Sequence, residues 1–230
     1  MGRLARLGLE LTRLTERWVP DSWIIAVVLT MTVAVLAMTA GGATPGAALD
    51  AWGRGLSALL ALTMQFTLMM VVSYACAVSP PLKRFLAWLA SRPNPEHPRQ
   101  AILLMGLFST LTAWLNWAFS LVVSAAFLPF VVRANPRADF RLLVTCAYLG
   151  LGTVWHTGLS GSAPLIIATP DNFLLKAGVL HELIPTSRTM FAPFNLVYAV
   201  LAGLVGLAIV AALVPPKEQA LTVSDDQARR

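Results

Sequence analysis

Five stretches of this chain run without a formal charge: Trp23 to Leu49, Gly55 to Leu82, Gln100 to Val132, Leu142 to Pro170 and Thr189 to Pro216. Each exceeds the roughly 20 residues needed to cross a hydrocarbon core. With 57% of residues hydrophobic and 12% charged, the chain lies outside the range of soluble domains, so the bilayer is the expected solvent. In lipid a spanning segment must satisfy its own backbone, and nothing here alternates like a barrel strand. The fold class that follows is an all-α integral membrane protein.

The net charge of +6 sits in short clusters between the apolar stretches rather than along one face. It reads as a topology signal and not as a nucleic-acid surface. Cys76 and Cys146 lie within apolar runs with no partner at metal-ligand spacing, which leaves no metal site to propose. No cleavable signal peptide is evident ahead of the first apolar run.

Residues 1–20 place Leu4, Leu7, Leu11, Leu14 and Trp18 on one stripe and arginines on the next, an interfacial amphipathic helix ended by Pro20, with a partner-binding helix as the alternative. A transmembrane domain over 21–216 follows, with spans at about 23–40, 55–78, 100–132, 142–170 and 190–214. A polar, disordered tail is expected over 217–230. Between the second and third stretches, Leu82, Phe85, Leu86 and Leu89 suggest a short interfacial helix bounded by prolines.

Counting Lys and Arg loop by loop places the N-terminus, the Lys83 to Arg99 loop, the Arg133 to Arg141 loop and the C-terminus on the cytoplasmic side. The Gln100 to Val132 stretch must then begin and end on the same side. A turn near Leu115 to Trp117 divides it into arms of about 15 residues, each about 22 Å long and short of a 30 Å core. The economical reading is a re-entrant helical hairpin with Asn116 at its tip; two short, tilted spanning helices are the alternative.

A second anomaly lies in Leu142 to Pro170. An apolar helix runs to Trp155 and meets His156, Thr157, Gly158, Leu159, Ser160, Gly161, Ser162, Ala163 and Pro164. Two glycines, two serines, a threonine and a proline predict an unwound loop, with Ser162 as cap of a second half-helix. Discontinuous helices expose N–H groups and dipole ends that attract anions, so an anionic substrate needs no buried arginine. The bland reading is a small-residue packing kink. His156 is either a functional group or a buried histidine bonded to a nearby carbonyl. His156 and Ser160 also suggest an acyl-transfer pair, but the final glycine of the nucleophile elbow, its strand and an orienting acid are missing.

Arg17-Trp-Val-Pro-Asp21, Leu115-Asn-Trp-Ala-Phe-Ser-Leu-Val-Val-Ser124, Cys146-Ala-Tyr-Leu-Gly150 and Ser160-Gly-Ser-Ala-Pro164 with Ala168-Thr-Pro170 together resemble the short-chain fatty acid transporter family, over the N-terminal half of a member. The resemblance implies one repeat of an inverted-repeat ion-transporter-like fold, with a re-entrant hairpin and a discontinuous transmembrane helix. It implies a secondary carrier of small monocarboxylates such as butyrate or acetoacetate in the bacterial inner membrane, not an enzyme. The substrate-binding set it points to is Asn116, Trp117, His156, Thr157, Gly158, Ser160, Gly161, Ser162 and Thr169.

His156-Thr157 stand where some relatives carry a glycine-rich pair. No cofactor is implied, and coupling stays open among His156, a carbonyl-bound cation such as sodium, and a substrate crossing with its own proton. The missing second repeat implies a truncated product, a split transporter with a partner half, or a homodimer. A non-transporting subunit packed against a partner is the alternative function.

Overall fold

The computed structural model describes Thr15, residues 18–170 and residues 172–223. Most of the amphipathic segment 1–20 and residues 224–230 of the tail therefore lie outside the described residues. The chain divides into two compact units, residues 1–68 and 69–230. All the regular structure among the described residues is helical, and three helices are long and apolar enough to cross a membrane.

The first unit holds helix α1 (Ser22–Thr39) and most of α2 (Pro45–Val78). Asp21 starts α1 by accepting the Trp23 N–H at 2.8 Å. No residue of α1 is buried by protein. Its threonines show how such a helix remains compatible with lipid: Thr30, Thr32 and Thr39 each donate to a carbonyl four residues back at 2.8 Å. Each of these threonine hydroxyls is satisfied within the helix, so the stretch they line needs no polar partner. Helix α2 begins ten residues before the expected span at 55. Thr44 accepts the Ala47 N–H, Pro45 fits a first turn, and Asp50 pairs with Arg54 one turn later at 2.6 Å.

The second unit is built on a helical hairpin, with α3 (Pro80–Ala90) leading into α4 (Pro98–Leu115) and α5 (Trp117–Ala134). Pro80 and Pro81 push Ser79 into extended backbone, and α3 leaves the axis of the preceding Thr63–Val78 stretch at 66°. The hairpin turns at Asn116, as expected, and its arms pair antiparallel through Thr112 with Ser120 and Phe108 with Phe127. Each arm has 18 residues rather than about 15, because helix continues past both ends of the uncharged stretch. Arms of about 27 Å come close to a full core, so their length no longer favours re-entrance.

The expected broken helix is more broken than its glycine content implied. It comprises α6 (Phe140–Ala147), α7 (Leu149–Thr153), a 3-10 turn at Trp155–Thr157, and α8 (Ser162–Ala168). Interruptions at Tyr148 and Val154 precede the predicted end of helix at Trp155. A short α9 (Phe173–Lys176) and α10 (Pro193–Ala212) complete the unit. The core joins Leu86 of α3, Ile102 and Met105 of α4, Phe127 and Val131 of α5 and Leu143 of α6. Gly203 and Gly206 let α10 approach Thr110 of α4 and Leu149 of α7, the small-residue packing favoured in lipid.

The tail departs from expectation. Among its described residues, Leu221 donates its N–H to Asp139 at 2.8 Å and accepts from Phe140 N–H at 2.8 Å, and Arg141 donates to the Gln219 carbonyl at 3.2 Å. Val223 packs against the core. This clasp uses backbone groups, which composition does not record, so the expected disorder does not hold for 217–223.

Asp139 is 2% exposed, caps α6 through the Leu142 N–H and holds Arg141 at 2.9 Å. Burial alone would raise its carboxyl. Hydrogen bonds from Arg141, Leu221 and Leu142, with the Arg141 charge, outweigh burial and hold it below the ordinary value. A depressed folded-state value gives stability that is complete above the unfolded value near 4 and is lost as pH falls through the folded one. Asp139→Ala is expected to cost about 2 kcal/mol at pH 7. Thermal unfolding of both proteins against pH should show that difference shrinking below about pH 4.

Candidate functional site at the hairpin tip and helix break

The two sequence anomalies meet. Asn116 is extended (φ −157°, ψ 122°) and belongs to both arms: its N–H donates to the Thr112 carbonyl, and its Oδ1 accepts the Phe119 N–H at 3.0 Å as the α5 cap. The polar partner its amide requires is thus the helix it starts. Across from it, Ser160 Oγ accepts the Trp117 N–H at 2.9 Å, and Leu159 N–H donates to the Trp114 carbonyl at 2.8 Å. Trp114 and Trp117, on either side of the tip, therefore hold Leu159 and Ser160 of the break.

Gly158 makes this docking possible. A Cβ built there would lie 2.0 Å from the Trp114 carbonyl oxygen, a backbone atom that cannot swing aside. Gly161 is similarly confined, 2.4 Å from the His156 carbonyl, and serves as the residue that caps α8. Ser162 is the exposed first residue of α8 and not its cap, because backbone extension at Gly161 starts the helix one position earlier than expected.

His156 is exposed, which removes the reading of a buried histidine bonded to a carbonyl. Its ring lies 4.6 Å from that of Trp155, which in turn lies 6.3 Å from Trp117, forming an aromatic row beside the junction. Thr157 is buried, with its hydroxyl on the Val154 carbonyl at 2.6 Å. Thr169 caps the far end of α8, about 10 Å along the helix from Ser162. It is the one member of the expected set that the geometry does not bring to the junction.

Two supports went unread in the sequence. Asn195, in the first turn of α10, donates to the Thr157 and Met190 carbonyls at 2.9 Å and ties the break to the last helix. A lone amide in the uncharged 189–216 stretch was the available signal. Ser109 lies on α4 and is fully buried; it donates to the Cys146 carbonyl at 2.6 Å and accepts the Gly150 N–H at 3.1 Å. One hydroxyl thereby bonds two backbone groups on either side of the interruption at Tyr148. Serines in apolar helices usually bond their own carbonyls, so nothing marked this one. Beside the junction, Trp114 and Val154 enter an apolar groove of about 340 Å³ between α4 and α10.

Fold and site define a class: an all-helical membrane protein whose hairpin tip is docked on a polar interruption of a neighbouring helix. The chain belongs to the short chain fatty acid transporter family, matching it over residues 3–228. It is 37% identical over 94% of its length to the Escherichia coli (strain K12) protein named "Putative short-chain fatty acid transporter". A Haemophilus influenzae protein of the same name is 32% identical over 93% of the chain. These matches cover 47% and 48% of the relatives, so the chain spans about half the length of the curated relatives it matches. No solved structure matches it significantly.

Proposed function

We propose that this chain is one half of a secondary transporter for short-chain carboxylates such as butyrate or acetoacetate, with the carboxylate held where the Asn116 tip meets the break at His156 to Ser162. The observation that carries this reading is the Trp117 N–H···Oγ bond to Ser160. A hydroxyl that accepts from a helix N-terminus still has its own proton to donate, and the 18-residue α5 directs its positive dipole end to the same place. The Asn116 amide nitrogen, without an acceptor among the described residues, adds a second donor. No Lys or Arg is required, consistent with their absence from the uncharged stretches. The groove beside Trp114 suits a short alkyl chain.

In this reading a second half, supplied by a partner or a second copy, closes the other side, and movement of the hairpin and break against a scaffold alternates access. A tip within the membrane and an inverted second repeat belong to the same proposal. Coupling runs through His156, a bound cation or the substrate's own proton.

The test is uptake of labelled butyrate and acetoacetate by proteoliposomes holding the chain with a complementary half. Saturable uptake is expected, reduced at least about tenfold by Asn116→Ala, which removes both a cap and a donor. Ser57→Ala, an exposed hydroxyl bonded to its own helix at 2.9 Å, should leave it unchanged. Absence of saturable uptake rejects the proposal.

A further inference from the structure

Helix α3 and the turn after it concentrate positive charge. Between Lys83 and Arg99 the sequence carries Lys83, Arg84, Arg92 and Arg99 against a single acid, Glu96. That acid is engaged by Arg137. Lys83, Arg84 and Arg99 are exposed and have no ion-pair partner among the described residues.

The helix separates its residues by face. At 100° per residue, Leu82, Leu86, Leu89 and Ala90 fall on the side that enters the core. The next stripe carries Phe85 and Trp88, 46% and 51% exposed, with rings stacked at 5.8 Å. Arg84 and Trp88 follow four residues apart on the helix, and the guanidinium of Arg92, two residues past its end, lies 4.1 Å from the centre of the Trp88 ring. The platform is fixed: Leu86 is fully buried and Asn135 Nδ2, itself buried, donates to the Ala90 carbonyl at 3.1 Å.

Two exposed, stacked aromatics beside exposed arginines call for a ligand that is apolar on one side and anionic on the other. A free anion satisfies the cations and leaves Phe85 and Trp88 bare. A neutral lipid does the reverse. An anionic phospholipid, its phosphate at the arginines and its glycerol and upper acyl region against the rings, satisfies both. The 66° turn after the apolar Thr63–Val78 stretch takes α3 off the axis of that stretch, as a helix lying along a membrane surface requires.

We infer that Arg84, Phe85 and Trp88 of α3, together with Arg92 just past its end, bind the headgroup of an anionic phospholipid in the leaflet they face. The inference depends on the protein residing in a bilayer and is independent of what it carries.

Native mass spectrometry of the detergent-purified chain, titrated with phosphatidylglycerol or phosphatidylcholine, reads the site directly. The first phosphatidylglycerol should bind about 25-fold tighter than phosphatidylcholine, and Arg84→Gln with Arg92→Gln should weaken it by about fivefold per cation removed, which abolishes the preference. Arg188→Gln, at the exposed ion pair with Glu182, should retain the full preference. Circular dichroism confirms that each variant remains helical. Equal binding of the two lipids, a preference that survives the double variant, an equal loss in Arg188→Gln, or displacement by millimolar inorganic phosphate would each overturn the assignment.

Discussion

Gly158→Ala is expected to abolish carboxylate uptake while Gly152→Ala, six residues earlier, leaves it nearly intact. The two glycines share one broken helix, but their surroundings differ. A Cβ at 152 meets nothing within 4 Å, whereas one at 158 lands 2.0 Å from the Trp114 carbonyl oxygen and 2.7 Å from its carbon. No rotamer relieves a clash between a methyl group and backbone, so the break must withdraw from the hairpin. That withdrawal severs the Leu159 to Trp114 and Trp117 to Ser160 hydrogen bonds together. Overpacking of this kind costs about 1–3 kcal/mol in stability, and a site displaced by about 1 Å loses on the order of 100-fold in rate. Uptake per inserted molecule, measured beside thermal unfolding, separates the two effects; equal uptake by both variants would show that this docking is dispensable.

Ser109→Ala is expected to lower stability by about 2–3 kcal/mol, although it deletes one oxygen atom. The loss comes from what remains inside the bundle: the Gly150 N–H, which has no other partner among the described residues, and the Cys146 carbonyl, which keeps only the Tyr148 N–H. Water does not readily replace the hydroxyl, since Gly150 backs directly onto α4, where an added Cβ would lie 2.2 Å from the Ser109 carbonyl oxygen. Ser57→Ala serves as the comparison, because its hydroxyl bonds only Gly53 of its own exposed helix. Unfolding in detergent should place Ser57→Ala within about 0.5 kcal/mol of the parent chain. A similarly small effect at Ser109 would mean that the interruption at Tyr148 is held by other contacts.

The sequence disclosed this protein unevenly, and the reasons are physical. Long uncharged runs announce helices in lipid, because an apolar solvent leaves no alternative for the backbone. Asn116 in an apolar run marked a turn, and clustered glycine and serine marked a break. Loop charges made Asn116 the tip of a hairpin, and the Trp117 to Ser160 bond joins that tip to the break.

Bonds made through backbone stayed invisible. Leu221 reaches Asp139 and Phe140 by its own N–H and carbonyl, so a segment that reads as polar coil is anchored. Tyr148 interrupts its helix without a glycine or proline at that position, and only Ser109 across the bundle makes the interruption affordable in hydrogen bonds. Arm length failed for a simpler reason: Pro98 and Arg133 are charged-loop residues by sequence and helical residues by structure. Thr169 entered the expected site through the resemblance, and it stands at the far end of α8 from Ser162.

The central claim is that a carboxylate binds where the hairpin tip meets the break. Ser162, exposed at the start of α8, reports on that place. With Cys76 changed to Ser and Cys146 left buried, Ser162→Cys gives one readily accessible thiol among the described residues. Its alkylation rate is to be measured in the chain assembled with its complementary half, in the presence of butyrate or of butyramide, which has the same carbon skeleton without the charge. Occupancy of the junction predicts that butyrate slows the reaction in a saturable way and that butyramide does not. An alkylation rate unaffected by butyrate, or slowed equally by the amide, would contradict it.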